Sequence, residues 1–390
     1  MNQMKNNTKV RVAFLTNIIP HYRVSFYEKL AQEKDIELLV IHGVDDADTS
    51  RPGISSGESL PFETATVRNR QMKFGLFTIR WQNDSFKLCR NYCPDIIILL
   101  GISGTATNWL IGIWARIRGK KVLMWTCGWE GQQRQTFAYR VKRFFMRQYF
   151  AIPHCLLVYS NKAKHYMEEI GVQSQRIDTC YNGLDIELMQ QHEEDIVKKA
   201  ALLRQTATEE DHVVFLYVGG MNCHKRVDLL LSAFAFVKKQ EQRAHLWLVG
   251  DGQDLCILKA MVKETQLEDV YFWGRVVKDV DVFFAAADIF VLPGIGGLAL
   301  NQAMFWRTPC ICSEADGTED DLIVDNVTGY RFMKGDEHNL SEIMLKACHQ
   351  RRSKEEKELV EKAYELLRAR SNVNTMVKTF HNHIMHFHAT

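Results

Sequence analysis

Short apolar runs of β-type residues recur from end to end of the chain, most of them followed by a helical pattern. In the first half they are Val10–Thr16, Ile36–His42, Asp95–Leu100, Lys121–Thr126, Cys155–Ser160 and Ile177–Tyr181. In the second half they are Val213–Val218, His245–Val249, Val270–Trp273, Ile289–Leu292 and Cys310–Cys312. Several lack polar alternation, as parallel strands covered on both faces do. Strands that alternate with helices build a doubly wound α/β sheet. After Val213–Val218, residues Val227, Leu230, Leu231, Phe234 and Val237 repeat at helical spacing and share one face. At 390 residues the chain is long for one core. The pattern predicts two Rossmann-like, doubly wound parallel-sheet domains, 1–190 and 191–365, divided near the charged stretch Glu193–Arg204. Residues 366–390 are expected to form a helix that packs back toward the first domain.

Composition narrows the setting. The net charge of +2 gives no bulk attraction to nucleic acid. No CxxC pair is present, which argues against a zinc ribbon or redox motif. The cysteines read as buried thiols of a reducing cytosol. Asp95–Ala115 is apolar but broken by Gly101, Ser103, Gly104, Thr105, Thr107 and Asn108, so it reads as strand, loop and helix rather than a membrane span. No signal peptide is expected, and the predicted location is cytoplasmic.

Ligands of open α/β sheets sit at the carboxyl ends of strands, so the loops there are the candidates. The first runs from Val218 through Gly219, Gly220, Met221, Asn222, Cys223, His224 and Lys225 to Arg226. Glycine permits close backbone approach, and a cation at the sheet mouth suits a phosphate. A plain turn with solvated basic residues is the bland alternative. The second runs from Pro293 through Gly294, Ile295, Gly296, Gly297 and Leu298 into a helix carrying Gln302. Backbone N–H groups at such a helix start suit an anion. The third, Ser313–Asp321, contains Glu319, which either caps the next helix or touches substrate.

In the first half, Asn17, His21 and Arg23 follow the first strand, where Arg23 either faces an anion or is solvated. Cys127-Gly128-Trp129-Glu130 pairs an aromatic platform with a carboxylate, a combination suited to a sugar. Asp46 and Asp48 lie in a polar loop and do not form a convincing metal motif. Basic residues cluster from Arg116 to Arg147, interleaved with Phe144, Phe145, Tyr149 and Phe150. The cluster fits either a solvated face or an anionic bilayer surface.

The stretches FLYVGGMNCHKRVDLLLSAF, HLWLVGDGQD, VYFWGRV, AAADIFVLPGIGGLALNQAMFWRTPCICSEADGTEDDLI and NVTGYRF resemble glycosyltransferase family 4, of GT-B fold. Upstream, LLVYSNKAKHYMEEIGVQSQRIDTCYNGLD resembles the segment before that family's interdomain crossover. The resemblance is dense in the second half and loose in the first. It implies two domains facing across a cleft, with the donor on the second and the acceptor on the first. Lys225 matches the family's phosphate-binding lysine, whereas Gly220 stands where an arginine is usual. Gly294 and Gln302 stand where the family carries two glutamates, which contact the sugar or its phosphate and the ribose. Gln302 still donates and accepts hydrogen bonds. The donor side is therefore expected to be Gly219, Gly220, Lys225, Arg226, Arg275, Gly294, Gly296, Gly297, Leu298, Gln302 and Glu319, with Lys225 catalytic. The acceptor side is expected to be Asn17, His21, Arg23, Trp129 and Glu130. The family's frequent first-domain histidine has no match.

The resemblance implies metal-independent, retaining transfer from a nucleoside diphosphate sugar to a glycan or lipid-linked acceptor. A role in surface polysaccharide synthesis, at the inner face of the membrane, follows as an expectation. No cofactor is expected, and a UDP-sugar is the choice that family frequency favours. The pair Gly294 and Gln302 keeps two alternatives open: a non-catalytic GT-B subunit that binds nucleotide sugar or glycan, and a nucleotide-sugar 2-epimerase.

Overall fold

The computed structural model describes residues 9–44, 59–74, 77–128 and 137–390. The chain divides into two compact units. The first comprises residues through Tyr181 together with Val373–Thr390, and the second is Asn182–Asn372.

The sheet of the first unit contains β1 (Val10–Thr16), β2 (Ile36–Val44), β3 (Glu63–Phe74), β4 (Phe77–Gln82), β5 (Ile96–Leu100), β6 (Lys121–Thr126), β7 (Cys155–Val158) and β8 (Ile177–Thr179). Their order is β4-β3-β2-β1-β5-β6-β7-β8. All neighbours pair parallel except β3 with β4. The polar β3 and β4 carry little of the apolar patterning that identifies their partners, although β3 buries Val67. Asp95–Ala115 resolves into β5, a loop and the helix Ala106–Ile117. No helix among the described residues is long and apolar enough to cross a membrane.

In the second unit lie β9 (Val213–Val218), β10 (Ala244–Val249), β11 (Val270–Gly274), β12 (Ile289–Leu292), β13 (Cys310–Cys312) and β14 (Tyr330–Arg331). They run in the order β11-β10-β9-β12-β13-β14, all parallel. β10 and β11 lie to one side of β9, and β12, β13 and β14 to the other. The strand order therefore reverses between β9 and β12, which opens a crevice at their carboxyl ends. Burial holds that frame. Along the helix Val227–Gln240, Val227, Leu230, Leu231, Phe234 and Val237 are all at most 2% exposed. Full burial of each such side chain contributes roughly 1.5–3 kcal/mol.

The unit borders differ from the expected 190/191 and 365/366. The helices Ile186–Gln191 and Lys354–Arg370 send Ile186, Ala363, Tyr364 and Leu367 into the core of the second unit. A β-bridge between Leu184 and Asn372 ties the entering and leaving chain together. Gly183 is required there, because a Cβ would lie 2.5 Å from backbone atoms of Ser371 and Asn372. Beyond that tie, the helix Val373–Ala389 joins the first unit, with Phe380 seated among Phe14, Phe26 and Trp125. All ten cysteines are free thiols. Four of them, Cys93, Cys127, Cys223 and Cys256, are exposed, contrary to the expectation that the cysteines are buried.

Candidate functional site

The carboxyl ends of β9, β12 and β13 bring three loops of the second unit together. After β9, Gly219 donates its N–H to Val249 O at 3.0 Å, and Tyr217 donates its hydroxyl to Gly220 O at 2.7 Å. Asn222 then caps a single 3-10 turn, Cys223–Lys225, by accepting His224 N–H at 3.1 Å. Arg226 follows in the left-handed conformation, at φ 52°, and turns the chain into the next helix.

That turn aims Lys225 across the crevice. Its ammonium donates to Ile295 O at 2.6 Å and to Gly296 O at 2.7 Å in the loop after β12. The backbone of the turn is bonded to the same loop, because Ile295 N–H donates to His224 O at 3.0 Å. These two bonds fix the position of the ammonium against the loop after β12.

Gly294 explains how the loops come so close. A Cβ there would lie 2.4 Å from His224 O and 2.7 Å from the carbonyl of Lys225. A side chain at position 294 would therefore collide with the backbone of the Lys225 turn. Gly220 is different. The nearest atoms to a Cβ at that position are 3.9 Å away, so the backbone there leaves room for the first carbon of a side chain. Gly297 likewise faces open space, and Gly296 meets only Leu292 at 3.3 Å and Asp316 at 4.0 Å. Among the described residues, the N–H groups of Gly296, Gly297 and Leu298 have no protein acceptor. The helix they precede, Ala299–Phe305, is only seven residues long, so these amides rather than a long helix dipole would meet an anion.

The remaining expected donor residues divide. Gln302 lies at the site but is held: its amide donates to Asp281 Oδ1 at 3.3 Å, and Trp306 Nε1 donates to the same oxygen at 2.7 Å. Burial pushes the Asp281 carboxyl up, and the two donated hydrogen bonds oppose that shift. A glutamate at position 302 would set a second carboxylate beside it, a like-charge contact that glutamine avoids. Asp281 is a component that the loop-by-loop reading misses, because it starts the preceding helix rather than following a strand. Arg226 turns away to Asp228 at 3.2 Å on an exposed helix start. Arg275 is exposed at the end of β11, on the sheet edge.

Glu319 corrects the expectation of a substrate contact. It is 1% exposed, and its carboxylate accepts the N–H groups of Ala315 and Gly317 in its own loop. Burial, then the nearby Asp316, push its carboxyl up to about 7. A raised folded value favours the protonated form, so its contribution is fully present below about 4.5 and lost as pH rises through about 7. Glu319→Gln keeps an acceptor for those N–H groups and removes the titration. The variant should match wild type in urea unfolding at pH 4.5 and exceed it by about 1–3 kcal/mol at pH 8. Equal stability differences at both pH values would contradict this role.

In the first unit, Asn17 O accepts from Asn69 Nδ2 at 3.1 Å, and His21 is exposed. Arg23 is not solvated: it is 8% exposed and stacks on Trp125. Trp129 and Glu130 lie outside the described residues, as do Asp46, Asp48 and Arg134.

Two doubly wound parallel sheets of this design define the GT-B fold, which solved structures share. The crystal structure of Anabaena HepE in complex with UDP matches with a TM-score of 0.75 at 15% identity, covering 96% of this chain and 99% of that one. The model described as Glycosyl transferases group 1 matches residues 198–366, and that described as Glycosyltransferase Family 4 matches residues 27–188. The chain belongs to glycosyltransferase family 4. It is 29% identical over 172 residues to N-acetyl-alpha-D-glucosaminyl L-malate synthase of Bacillus anthracis, covering 43% of each protein. It is 27% identical over 190 residues to lipopolysaccharide 1,6-galactosyltransferase of Escherichia coli, covering 46% of this chain and 48% of that one. The matches thus span less than half the length of these two relatives.

Proposed function

We propose that the chain transfers a sugar from a nucleoside diphosphate sugar to a glycan or lipid-linked acceptor, with the donor diphosphate on Lys225 and the loop after β12. The observation that carries this reading is the Lys225 ammonium held at 2.6 and 2.7 Å from the Ile295 and Gly296 carbonyls, beside the unpartnered amides of Gly296–Leu298. These groups meet at the reversal in strand order, where open α/β sheets bind ligands. The reaction we infer is a same-face displacement in which the leaving diphosphate helps deprotonate the acceptor hydroxyl. Its demands are positioning and stabilisation of the departing charge. The relative crystallised with UDP supports a uridine donor. A panel of nucleoside diphosphate sugars tested by thermal shift and product assay decides the matter. At a hundred times its dissociation constant the true donor stabilises by about 2.7 kcal/mol. No stabilisation by any donor would overturn the reading. Binding without turnover would favour the non-catalytic subunit, the alternative that Gly294 and Gln302 keep in play.

We also propose that the first unit rests on an anionic membrane surface. Phe144 and Phe145 are 59% and 56% exposed on the helix Phe137–Ala151, among Arg140, Lys142, Arg143 and Arg147. Tyr149 and Phe150 do not share that face, because they are buried in the core. Phe144→Glu with Phe145→Glu should weaken sedimentation with phosphatidylglycerol vesicles at least tenfold, since each buried Phe contributes about 1.5–3 kcal/mol. Undiminished vesicle binding by the double variant would refute the surface assignment.

A further inference from the structure

Among the described residues of the first unit, Arg23 is the most deeply buried cation left without a carboxylate. It ends the turn His21–Arg23 after β1 and is 8% exposed. Its Cζ lies 3.8 Å from the ring centroid of Trp125, which belongs to β6. Its Nη2 donates to the hydroxyl of Tyr159, just beyond β7, at 3.1 Å. Nη1 is buried with no hydrogen-bond partner. Among the described residues Arg23 makes no ion pair. The contrast within the protein is direct, since Arg204 and Arg351, both partly buried, share Asp288 at 2.8 and 2.6 Å.

Burying an unpaired charge is costly, and a cation–π contact offsets only part of that cost. The guanidinium therefore keeps an unmet demand for an anion at the carboxyl ends of the strands, the edge where such sheets bind ligands. Tyr22, 48% exposed and 5.6 Å from Cζ, is the most exposed of the aromatic rings around it and marks the side nearest solvent.

We propose that Arg23 anchors an oxyanion of the acceptor, so that the acceptor substrates of this protein carry a phosphate or a carboxylate. The inference rests on the reading above that the first unit takes the acceptor. Guanidinium geometry matches both oxyanions, so the shared chemistry is a planar, two-point contact to paired oxygens.

Calorimetry on Lys225→Ala protein, which mutes phosphate binding at the donor loops, tests this with three probes: methyl glucoside, glucose 6-phosphate and glucuronate. At least one anionic probe should bind tenfold or more tighter than methyl glucoside, and the phosphate and carboxylate arms distinguish the source of the charge. Adding Arg23→Met should abolish that preference and leave methyl glucoside unchanged. Equal binding of all three probes, or an anion preference that survives Arg23→Met, overturns the proposal. If the Arg23→Met protein does not fold, thermal shift of the Lys225→Ala protein alone decides, because failure of both anionic probes to stabilise it is equally fatal. Nucleoside diphosphate sugar binding to Arg23→Met protein with Lys225 intact separates the two readings. Its persistence beside a lost anion preference upholds both, and its persistence beside an unchanged preference overturns this inference alone.

Discussion

Lys225→Ala is expected to cut donor turnover by a hundredfold or more. Removal of one preorganised electrostatic donor from a reacting centre costs about 2.7–4 kcal/mol in other enzymes. The geometry here supports an effect of that size. The ammonium is already fixed by the carbonyls of Ile295 and Gly296, so little ordering remains to be done when a diphosphate arrives. A group that meets charge developing on the leaving phosphate should lower kcat more than it raises KM. Lys225 also links two loops, and loss of that link is a competing explanation. The two effects separate experimentally, since loop loosening shows as a drop in unfolding temperature of the unliganded protein. Lost turnover at unchanged stability identifies the electrostatic role, whereas unchanged turnover removes Lys225 from the mechanism.

Gly294→Glu restores the residue usual in the family, and it should nevertheless damage the protein. Even the Cβ would sit 2.4 Å from His224 O and 2.7 Å from the Lys225 carbonyl, and these are backbone atoms with little freedom to yield. The Ile295 N–H to His224 O bond at 3.0 Å crosses the same gap and would be pushed apart. A loss of about 2–4 kcal/mol in urea unfolding is expected, in the range of severe overpacking. Donor binding should fall as well, because the loop carrying Lys225 is displaced. Gly220→Arg is the matched control. It also restores a family residue, but its nearest neighbours lie 3.9 Å from the new Cβ, so stability should change by less than about 0.5 kcal/mol. Equal tolerance of both substitutions would show that the close approach of the two loops is not built into the native state.

Most of the parallel strands were legible in the sequence because they are largely apolar runs, and the loops after β9 and β12 followed from them. What those loops do to one another was not legible. Lys225 and Ile295 are brought together by the reversal in strand order, and no local pattern encodes their contact. Gly294 reads as a lost carboxylate in sequence, but in space it is the seat of a neighbouring turn. Gln302 reads as a weakened glutamate until Asp281, from a different loop, appears beside it. Glu319 and Arg23 show the same limit, since a charge in a loop gives no sign of whether it points outward or is buried. The strands β3 and β4 escaped notice because their polar composition hides the period of two, and β14 has only two residues.

Titration of UDP and a UDP-sugar panel into wild-type and Lys225→Ala protein tests the donor site most directly. Binding to wild type that weakens at least tenfold in Lys225→Ala, at equal fold stability, is the predicted result. Equal affinity in the two proteins, or a wild-type protein that binds no nucleoside diphosphate sugar, would contradict it.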